Sequence, residues 1–362
     1  MKTKLLFTLV LALGLSGFNE AYACTVFRLT AKDGSIMIAR SMEFAVDLHY
    51  DLIIVPRNSS FTSPFPQGRQ GINWLTRYGY LGVAEMGKTS GVSEGMNEKG
   101  LSLSSLWFET TMKWQDVTPG DSAVALAQTL FSDWVLGNFS TVDEVRTAVK
   151  TIKVFDYIDP AIKMTVMLHF IVYDAAGGCI VVEYDQGICN VYDNPVGIMT
   201  NAPSFPWQMT NLRQYIGMDP ASPAPYTGEG LTFRPTGHGQ GMIGIPGDYS
   251  PPSRFIRLGM FQRYVDRQPD AASNLILCNH VINTFTIPFG VIVDKAPDGT
   301  ILDKESTQWV TFRDVTNRVF YFKTYNNSTL RKIDLKRLDF TTPTIRRVPM
   351  SGTNQTILDV TP

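Results

Sequence analysis

The chain has 362 residues, of which 44% are hydrophobic and 18% are charged, a composition typical of a globular protein with a sizeable core. Its 32 basic and 33 acidic residues give a formal net charge of −1. This near-neutral balance argues against a nucleic-acid partner or binding to an anionic membrane surface, because both require a basic face.

The first segment has the features of a secretory signal peptide. Two lysines precede an apolar run at residues 5–15, and the small residues Ala21 and Ala23 stand at the two positions that a signal peptidase reads. The run is shorter than the roughly 20 residues that span a bilayer, and no later run is longer, so we expect no stable membrane anchor. Cleavage after Ala23 would leave Cys24 as the first residue of an exported chain, periplasmic in a Gram-negative cell or otherwise secreted.

A cysteine directly after a signal peptide is also the residue that carries the lipid in bacterial lipoproteins. Lipoprotein signals usually have a branched residue three positions before that cysteine and a very small residue two positions before it. This sequence has Ala21 and Tyr22 at those positions. The pattern therefore favours a free Cys24 over a lipid-bearing one.

The mature chain is predicted to begin with a β-hairpin. Residues 24–30 are rich in strand formers, Asp33-Gly34 offers a tight turn, and residues 36–40 supply the second strand. Sheet hydrogen bonds would fix Cys24, unlike the frayed terminus of most domains.

Short strands and helices follow along the rest of the chain. Further strands are predicted at residues 51–56, 101–108, 164–173, 180–184, 191–199, 307–313, 319–324 and 330–335. Helices are predicted at residues 122–135, 142–152, 205–216, 253–265 and 271–284. Because hairpins outnumber β-α-β crossovers, the sheets should be mainly antiparallel and covered by helices from outside. Residues 24–362 contain no convincing linker, and we interpret them as a single domain in which the Pro-rich stretch 218–235 is a surface loop.

The histidines and the remaining cysteines form no metal or redox motif. Four histidines lie in unrelated contexts without metal-ligand spacing, so we expect neither a metal nor another cofactor. With Cys24 free, Cys179, Cys189 and Cys278 allow at most one disulfide. Cys179 and Cys189 flank a predicted hairpin and are the best-placed pair, although all three could equally be small buried hydrophobic residues.

Five short motifs occur in a fixed order along the chain. They are Cys24-Thr25, ARSMEF at 39–44, GMNEKGL at 95–101, MTNAP at 199–203 and GIPGDYSPPSRF at 244–255. Together they resemble the choloylglycine hydrolase family, which contains penicillin V acylases and conjugated bile salt hydrolases. The resemblance runs from Cys24 to about residue 321. It implies an α+β fold, the four-layer αββα sandwich of N-terminal nucleophile hydrolases, and hydrolysis of linear carbon–nitrogen amide bonds other than peptide bonds.

An N-terminal cysteine carries its own general base. Its α-amine titrates near 7.7 to 8.0 in model compounds and can take the thiol proton directly or through a water, so no histidine partner is required. The thiolate would attack an amide carbonyl, donors would stabilise the oxyanion, and water would release the acid from the thioester.

Arg40, at the end of the second predicted strand, and Glu43, three residues later, are candidate partners of Cys24. Arg40 lies across the hairpin, where its guanidinium would favour the thiolate, and the resemblance makes it the family's active-site arginine. The alternative is a surface arginine. Glu43 stands where the family usually has an aspartate, and we expect it to accept hydrogen bonds from the α-ammonium of Cys24. The alternative for Glu43 is an ordinary ion pair with Arg40.

Two residues in later motifs are candidates for stabilising the transition state. The resemblance makes Asn201 the family's catalytic asparagine, whose amide can donate to an oxyanion, although an asparagine before Ala-Pro is also a common turn residue. It makes Arg254 the last active-site residue, which could orient Cys24 or hold the charge of the transition state. Arg257, one helical turn further, is the competing arginine.

Aromatic residues suggest the acyl group of the substrate. Trp107 follows the NEKG loop where penicillin V acylases have an aromatic residue, and with Phe44 we assign it to substrate binding. A core tryptophan without a ligand is the alternative for Trp107. We expect a small-molecule N-acyl amide such as penicillin V or an acyl-homoserine lactone.

Two other hypotheses remain open for the whole chain. One is a conjugated bile salt hydrolase with the same catalytic residues. The other is a catalytically inactive exported binding protein or lipoprotein. A homotetramer is the assembly that we consider.

Overall fold

The computed structural model describes residues 23–109, 111–158 and 163–361, so the predicted signal peptide, apart from Ala23, lies outside the described residues. The strands of the described residues are, in chain order, β1 (Cys24–Thr30), β2 (Ile36–Phe44), β3 (Asp51–Val55), β4 (Ser60–Pro64), β5 (Gln70–Leu75), β6 (Tyr80–Ala84), β7 (Glu94–Asn97), β8 (Ser102–Trp107), β9 (Ala125–Ala127), β10 (Lys153–Phe155), β11 (Leu168–Tyr173), β12 (Cys179–Asp185), β13 (Ile188–Asp193), β14 (Ile198–Met199), β15 (Tyr226–Gly228), β16 (Leu231–Phe233), β17 (Ile292–Lys295), β18 (Ile301–Asp314), β19 (Val319–Thr324), β20 (Asn327–Asp334) and β21 (Arg346–Pro349). The α-helices are α1 (Phe131–Asn138), α2 (Val142–Ala148), α3 (Phe205–Leu212), α4 (Pro251–Tyr264) and α5 (Ala271–Asn283).

The first large sheet is built around the predicted N-terminal hairpin. Its strands run in the order β14-β1-β2-β18-β19-β20, with β17 pairing to the outer part of β18, and every pair is antiparallel. The hairpin turns at Asp33-Gly34, where Gly34 has a φ of +86° and Asp33 Oδ1 accepts from the Ser35 amide at 2.9 Å. Sequence therefore predicts this hairpin correctly, because Gly tolerates the left-handed conformation that the turn needs.

The second large sheet faces the first. Its eight strands run β13-β12-β11-β8-β7-β6-β3-β21, again all antiparallel. Helices α4 and α5 pack on the outside of the first sheet, while α1 packs against β7 and β8 and α2 against β12 of the second. The prediction of a four-layer αββα sandwich of two mainly antiparallel sheets is confirmed.

Strand β2 lies at the centre of this arrangement and is buried on both faces, with Phe44 alone half-buried. One face meets the second sheet and the other meets the helices, so polar residues on β2 are placed inside the protein. Arg40 and Glu43 are both fully buried. Buried charges need partners, so we expect the charged side chains of β2 to form ion pairs or hydrogen bonds inside the protein.

The stretch 218–235, predicted to be a surface loop, contains the exposed hairpin β15-β16, and two further predicted elements differ from the structure in type or continuity. The helix predicted at residues 122–135 begins only at Phe131, because the short 3₁₀ helices Pro119–Val124 and Gln128–Leu130 flank β9, which pairs in parallel with β10. The strand predicted at residues 191–199 is interrupted before Ile198, and its two ends join different sheets as β13 and β14. Pro195 lies in the break, and proline has no amide hydrogen to donate to a ladder.

The disulfide considered between Cys179 and Cys189 is absent, and all four cysteines are free thiols in the described chain. Cys189 pairs with Tyr184 across the hairpin, whereas Cys179 lies five residues further along β12. Five residues of a strand span about 17 Å, far beyond the reach of a disulfide. No helix of the described residues is long and apolar enough to cross a membrane.

Candidate active site

Cys24 is the first residue of β1 and is held between two strands. It lies opposite Met42 of β2 and is 3% exposed. In this structure Ala23 precedes it, so the Cys24 nitrogen is an amide, and it donates to Asn201 Oδ1 at 2.8 Å. At this end of β1 the Cys24 nitrogen is therefore directed at Asn201, one of the residues predicted for the site.

Arg40 contacts the thiol from the same face of the sheet. Its Nη2 lies 3.8 Å from Cys24 Sγ and donates to the Ser105 carbonyl at 2.8 Å. The side chain is fully buried, so the alternative of a surface arginine is wrong. A cation beside a thiol stabilises the thiolate form.

Glu94 is a central residue of the site that the sequence analysis missed. Its carboxylate pairs with Arg40 at 2.9 Å and with Arg313 at 3.4 Å, and all three side chains are fully buried. Trp309 Nε1 and Thr311 Oγ1 also donate to it, at 2.7 and 2.6 Å. Burial would raise the pKa of Glu94, but the two guanidinium groups hold it below its ordinary value. Glu94 is therefore the anion that keeps Arg40 in place.

Glu43 points away from Arg40, because side chains three residues apart on a strand lie on opposite faces. The alternative of an Arg40–Glu43 ion pair is therefore wrong, and Arg40 pairs with Glu94 instead. Glu43 Oε1 accepts from Thr307 Oγ1 at 2.8 Å, and the Glu43 amide donates to the Ala23 carbonyl at 3.0 Å. Burial raises the pKa of Glu43 to about 7, against the opposing influence of Arg254.

Asn201 accepts and donates within the site. Its Oδ1 accepts from the Cys24 nitrogen and from Arg254 Nη2, each at 2.8 Å, while Nδ2 donates to the Trp107 carbonyl at 2.9 Å. An amide nitrogen has two hydrogens, so the bond to Trp107 leaves one for an oxyanion. The preceding residue is anchored by its carbonyl, which lies 2.9 Å from His169 Nε2.

Arg254, near the start of α4, bridges the same residues. Its Nη1 donates to the Cys24 carbonyl and, at 2.7 Å, to Thr25 Oγ1. The competing Arg257 donates to the Gly247 carbonyl and packs its guanidinium over the Phe285 ring. The structure thus brings Arg254, rather than Arg257, to Cys24.

The thiol of Cys24 is protonated at neutral pH in the chain that carries Ala23. Burial raises its pKa to about 11, and the positive charges of Arg40 and Arg254 offset only part of that effect. The nitrogen beside it is an amide and cannot accept a proton. A chain that begins at Cys24 would have an amine at this position and hence a base next to the thiol.

An apolar cavity of about 280 Å³ opens from the thiol. Phe44 and Trp107, the residues assigned to substrate binding, both line it. Trp107 is only half-buried, so it is not an enclosed core residue. The rest of the wall is largely aliphatic and includes Met42, Leu48, Val92, Met164, Val166 and Leu168. Such a cavity can receive an apolar acyl group beside a nucleophile.

The predicted catalytic residues are thus assembled at one point, and their roles follow from chemistry. Cys24, Arg40, Asn201 and Arg254 are joined by direct contacts, and Glu43 lies one register position from Cys24. Among the residues that the structure describes, no group of three or more His, Cys, Asp or Glu could hold a metal ion. The arrangement can support covalent catalysis of acyl transfer through a thiol.

Comparison with known proteins is consistent with this chemistry. Residues 24–346 match the model of the linear amide C–N hydrolases, choloylglycine hydrolase family. The bile salt hydrolase/transferase of Clostridium perfringens is 30% identical over 318 residues, which are 87% of this chain and 93% of that protein. A conjugated bile acid hydrolase of Lactobacillus acidophilus is 30% identical over 278 residues, 76% of this chain and 86% of that one.

Solved structures have the same fold. A variant of the conjugated bile acid hydrolase from Clostridium perfringens superposes with a TM-score of 0.80 at 26% identity, covering 93% of this chain and all of that one. Penicillin V acylase from Agrobacterium tumefaciens superposes with a TM-score of 0.72 at 21% identity, covering 92% and 94%. The predicted N-terminal nucleophile hydrolase fold is confirmed, and the chain belongs to the choloylglycine hydrolase family of linear amide C–N hydrolases.

Proposed function

We propose that this protein hydrolyses small N-acyl amides with Cys24 as an N-terminal nucleophile. The observation that carries the proposal is the position of the Cys24 thiol, which faces an apolar cavity while Arg40 lies 3.8 Å away. Once Cys24 is the first residue, its α-amine takes the thiol proton and the thiolate attacks the amide carbonyl carbon.

The remaining steps use the residues around Cys24. The second hydrogen of Asn201 Nδ2 and the guanidinium of Arg254 stabilise the oxyanion of the tetrahedral intermediate. The α-ammonium returns its proton to the leaving amine as the carbon–nitrogen bond breaks, which leaves an acyl thioester on Cys24. Water, deprotonated by the α-amine, then releases the carboxylic acid and restores the thiol.

Export and removal of residues 1–23 are part of the proposal, because an amide nitrogen cannot act as the base. Two observations support it: the small residues at Ala21 and Ala23, and the family match that begins at Cys24. The intact mass of the protein purified from its native host is expected to equal that of residues 24–362 with an unmodified thiol. A diacylglycerol adduct would instead support a lipoprotein, and a cut elsewhere would remove the proposed nucleophile.

The substrate is proposed to be an amide with an aromatic or aliphatic acyl group, as in penicillin V or an acyl-homoserine lactone. The apolar wall with Phe44 and Trp107 supports this acyl preference. Conjugated bile salts are the second candidate, favoured by the 30% identity to the bile salt hydrolase/transferase of Clostridium perfringens.

A direct assay separates the two substrate classes. The processed protein is incubated with penicillin V and with glycocholate, and the free amine is measured. We expect a higher kcat/KM for penicillin V, whereas faster release from glycocholate would assign the protein to the bile salt hydrolases. Inactivity on both would contradict the substrate class and, if it extended to a broad panel of N-acyl amides, would favour an inactive binding protein. The homotetramer stays a prediction.

A further inference from the structure

Glu305 is a buried carboxyl group to which no described residue donates a hydrogen bond, close to the site but outside the motifs that define it. It lies on β18, two residues before Thr307, which pairs with Glu43. Its exposed fraction is 2%, and within the described part of the chain neither of its carboxylate oxygens accepts a hydrogen bond. An ionised carboxylate buried without a donor costs several kcal/mol, so Glu305 stays protonated at neutral pH unless a cation comes close to it.

The empty space beside Glu305 adjoins the start of the mature chain. A second cavity, of about 500 Å³, is lined by Glu305 together with Ala23, Asn201 and Arg254. Ala23 is the residue that cleavage would remove. Asn201, which accepts from the Cys24 nitrogen, forms part of the same wall. Removal of Ala23 would therefore open this cavity to the new α-amine.

The two buried carboxyl groups on this side of the sheet, Glu43 and Glu305, have no ion-pair partner among the described residues. Burial raises the pKa of Glu305, and the nearby Glu43 raises it further, to about 8. Glu43 Oε2 also accepts no hydrogen bond from a described residue, although the Ser41 hydroxyl lies close by. Asp294 of β17 faces Glu305 as well, but it is half-exposed and screened by solvent.

The nearby cation is already engaged. Arg254 of α4 donates to the carbonyls of Tyr249 and Cys24, to Thr25 Oγ1 and to Asn201 Oδ1. Two buried carboxyl groups thus face one guanidinium whose hydrogen bonds go elsewhere, so this side would be one positive charge short if both ionised. The α-ammonium of a chain that begins at Cys24 would add one positive charge beside Asn201, on the wall of the cavity that Glu305 also lines.

We propose that Glu305 is a positioning residue whose carboxylate, together with that of Glu43, is the counter-charge of the α-ammonium of processed Cys24. The inference rests on the proposed function, in which Cys24 is the N-terminal nucleophile. Glu305 acts through the amine and does not touch the substrate. Glu305 would hold the α-ammonium against Asn201. It would thereby fix the position of the amine that transfers the proton from the thiol to the leaving amine.

The first test uses stability and needs no substrate. Thermal unfolding at pH 7 is compared between residues 24–362 and a chain that keeps residues 19–23, each as wild type and as Glu305→Gln. We expect the chain that begins at Cys24 to unfold at the higher temperature, and Glu305→Gln to reduce that difference by at least half. Asp303→Asn, the same change two residues earlier on β18 at a half-exposed position, is expected to leave the difference intact. Equal differences in wild type and Glu305→Gln would overturn the proposal.

The second test uses the pH dependence of kcat/KM. A nearby carboxylate stabilises the ammonium and raises its pKa, so Glu305→Gln should move the acidic limb of the profile to lower pH by about one unit. Glu305→Asp should return the limb towards its wild-type position. A loss of rate with an unmoved limb would mean a merely structural role. Failure of the wild type to hydrolyse any amide would contradict the proposed function. The unfolding comparison needs no substrate and would still test the role of Glu305.

Discussion

Replacement of Cys24 by alanine is expected to reduce amide hydrolysis by about 10⁴-fold or more, because Cys24 is the one thiol among the described residues that line the cavity. The thiol is small and 3% exposed, so alanine removes one atom from a packed position and should preserve the fold. The measurement is kcat/KM of the processed variant on the best amide of the substrate panel, with circular dichroism to verify folding.

A second cysteine supplies the matched control. Cys189→Ala removes a thiol from β13, an outer strand of the second sheet, and should leave kcat/KM unchanged. Cys24→Ser keeps the α-amine and the geometry but substitutes a weaker nucleophile, so it should retain the binding of substrate with little turnover. Turnover by Cys24→Ala close to that of the wild type would refute the mechanism.

Sequence predicts those site residues that belong to the five recognised motifs. The predicted hairpin placed Arg40 beside Cys24, whereas Asn201 and Arg254 are far away in sequence and only the resemblance placed them in the same site before the structure did. The face that Glu43 occupies could have been read from strand periodicity, since it stands three residues after Arg40 and side chains alternate. Periodicity alone therefore argues against the ion pair between those two residues.

Glu94 and Glu305 show where sequence reasoning stops. Each is an acidic residue within a strand, and the sequence does not reveal that both faces of that strand are covered at that position. Glu94 does stand immediately before the GMNEKGL motif, and a charge between apolar residues of a strand is a signal of a buried partner. Its partners Arg40 and Arg313 lie 54 positions earlier and 219 positions later, and only the packing of the two sheets brings them close.

The fold was predicted where local signals agree with the tertiary structure. Strand β19 has the predicted bounds of 319–324, and α5 differs from its prediction by one residue at its end. The predictions failed where tertiary contacts override the local preference of the sequence. Ala125–Ala127 reads as helix by composition, yet it is fully buried and forms β9 because β10 offers a partner.

Replacement of Glu94 by glutamine is expected to lower the free energy of unfolding by about 3–5 kcal/mol. The amide keeps the size of the side chain but removes its negative charge, which leaves Arg40 and Arg313 as two fully buried guanidinium groups without an anion. The measurement is chemical denaturation of the wild type and the variant under identical conditions.

Glu98→Gln is the matched control, four residues away. Glu98 pairs with Arg57, whose side chain is 43% exposed, so the same substitution should cost about 1 kcal/mol or less. Combining Glu94→Gln with Arg313→Met should cost less than the two single changes added together, since it removes one of the unpaired cations. A strictly additive result would mean that Glu94 does not stabilise Arg313.

The thiol of Cys24 provides a second, independent readout of Glu94→Gln. The pKa of the thiol is raised by burial, and Arg40 opposes that rise through its positive charge. Without Glu94 this charge is no longer neutralised, so the thiolate should be favoured and the pKa of Cys24 should fall. Alkylation of Cys24 by iodoacetamide should then accelerate at a lower pH than in the wild type. An unchanged alkylation profile in a folded variant would show that the effect of Arg40 on the pKa of the Cys24 thiol does not depend on Glu94.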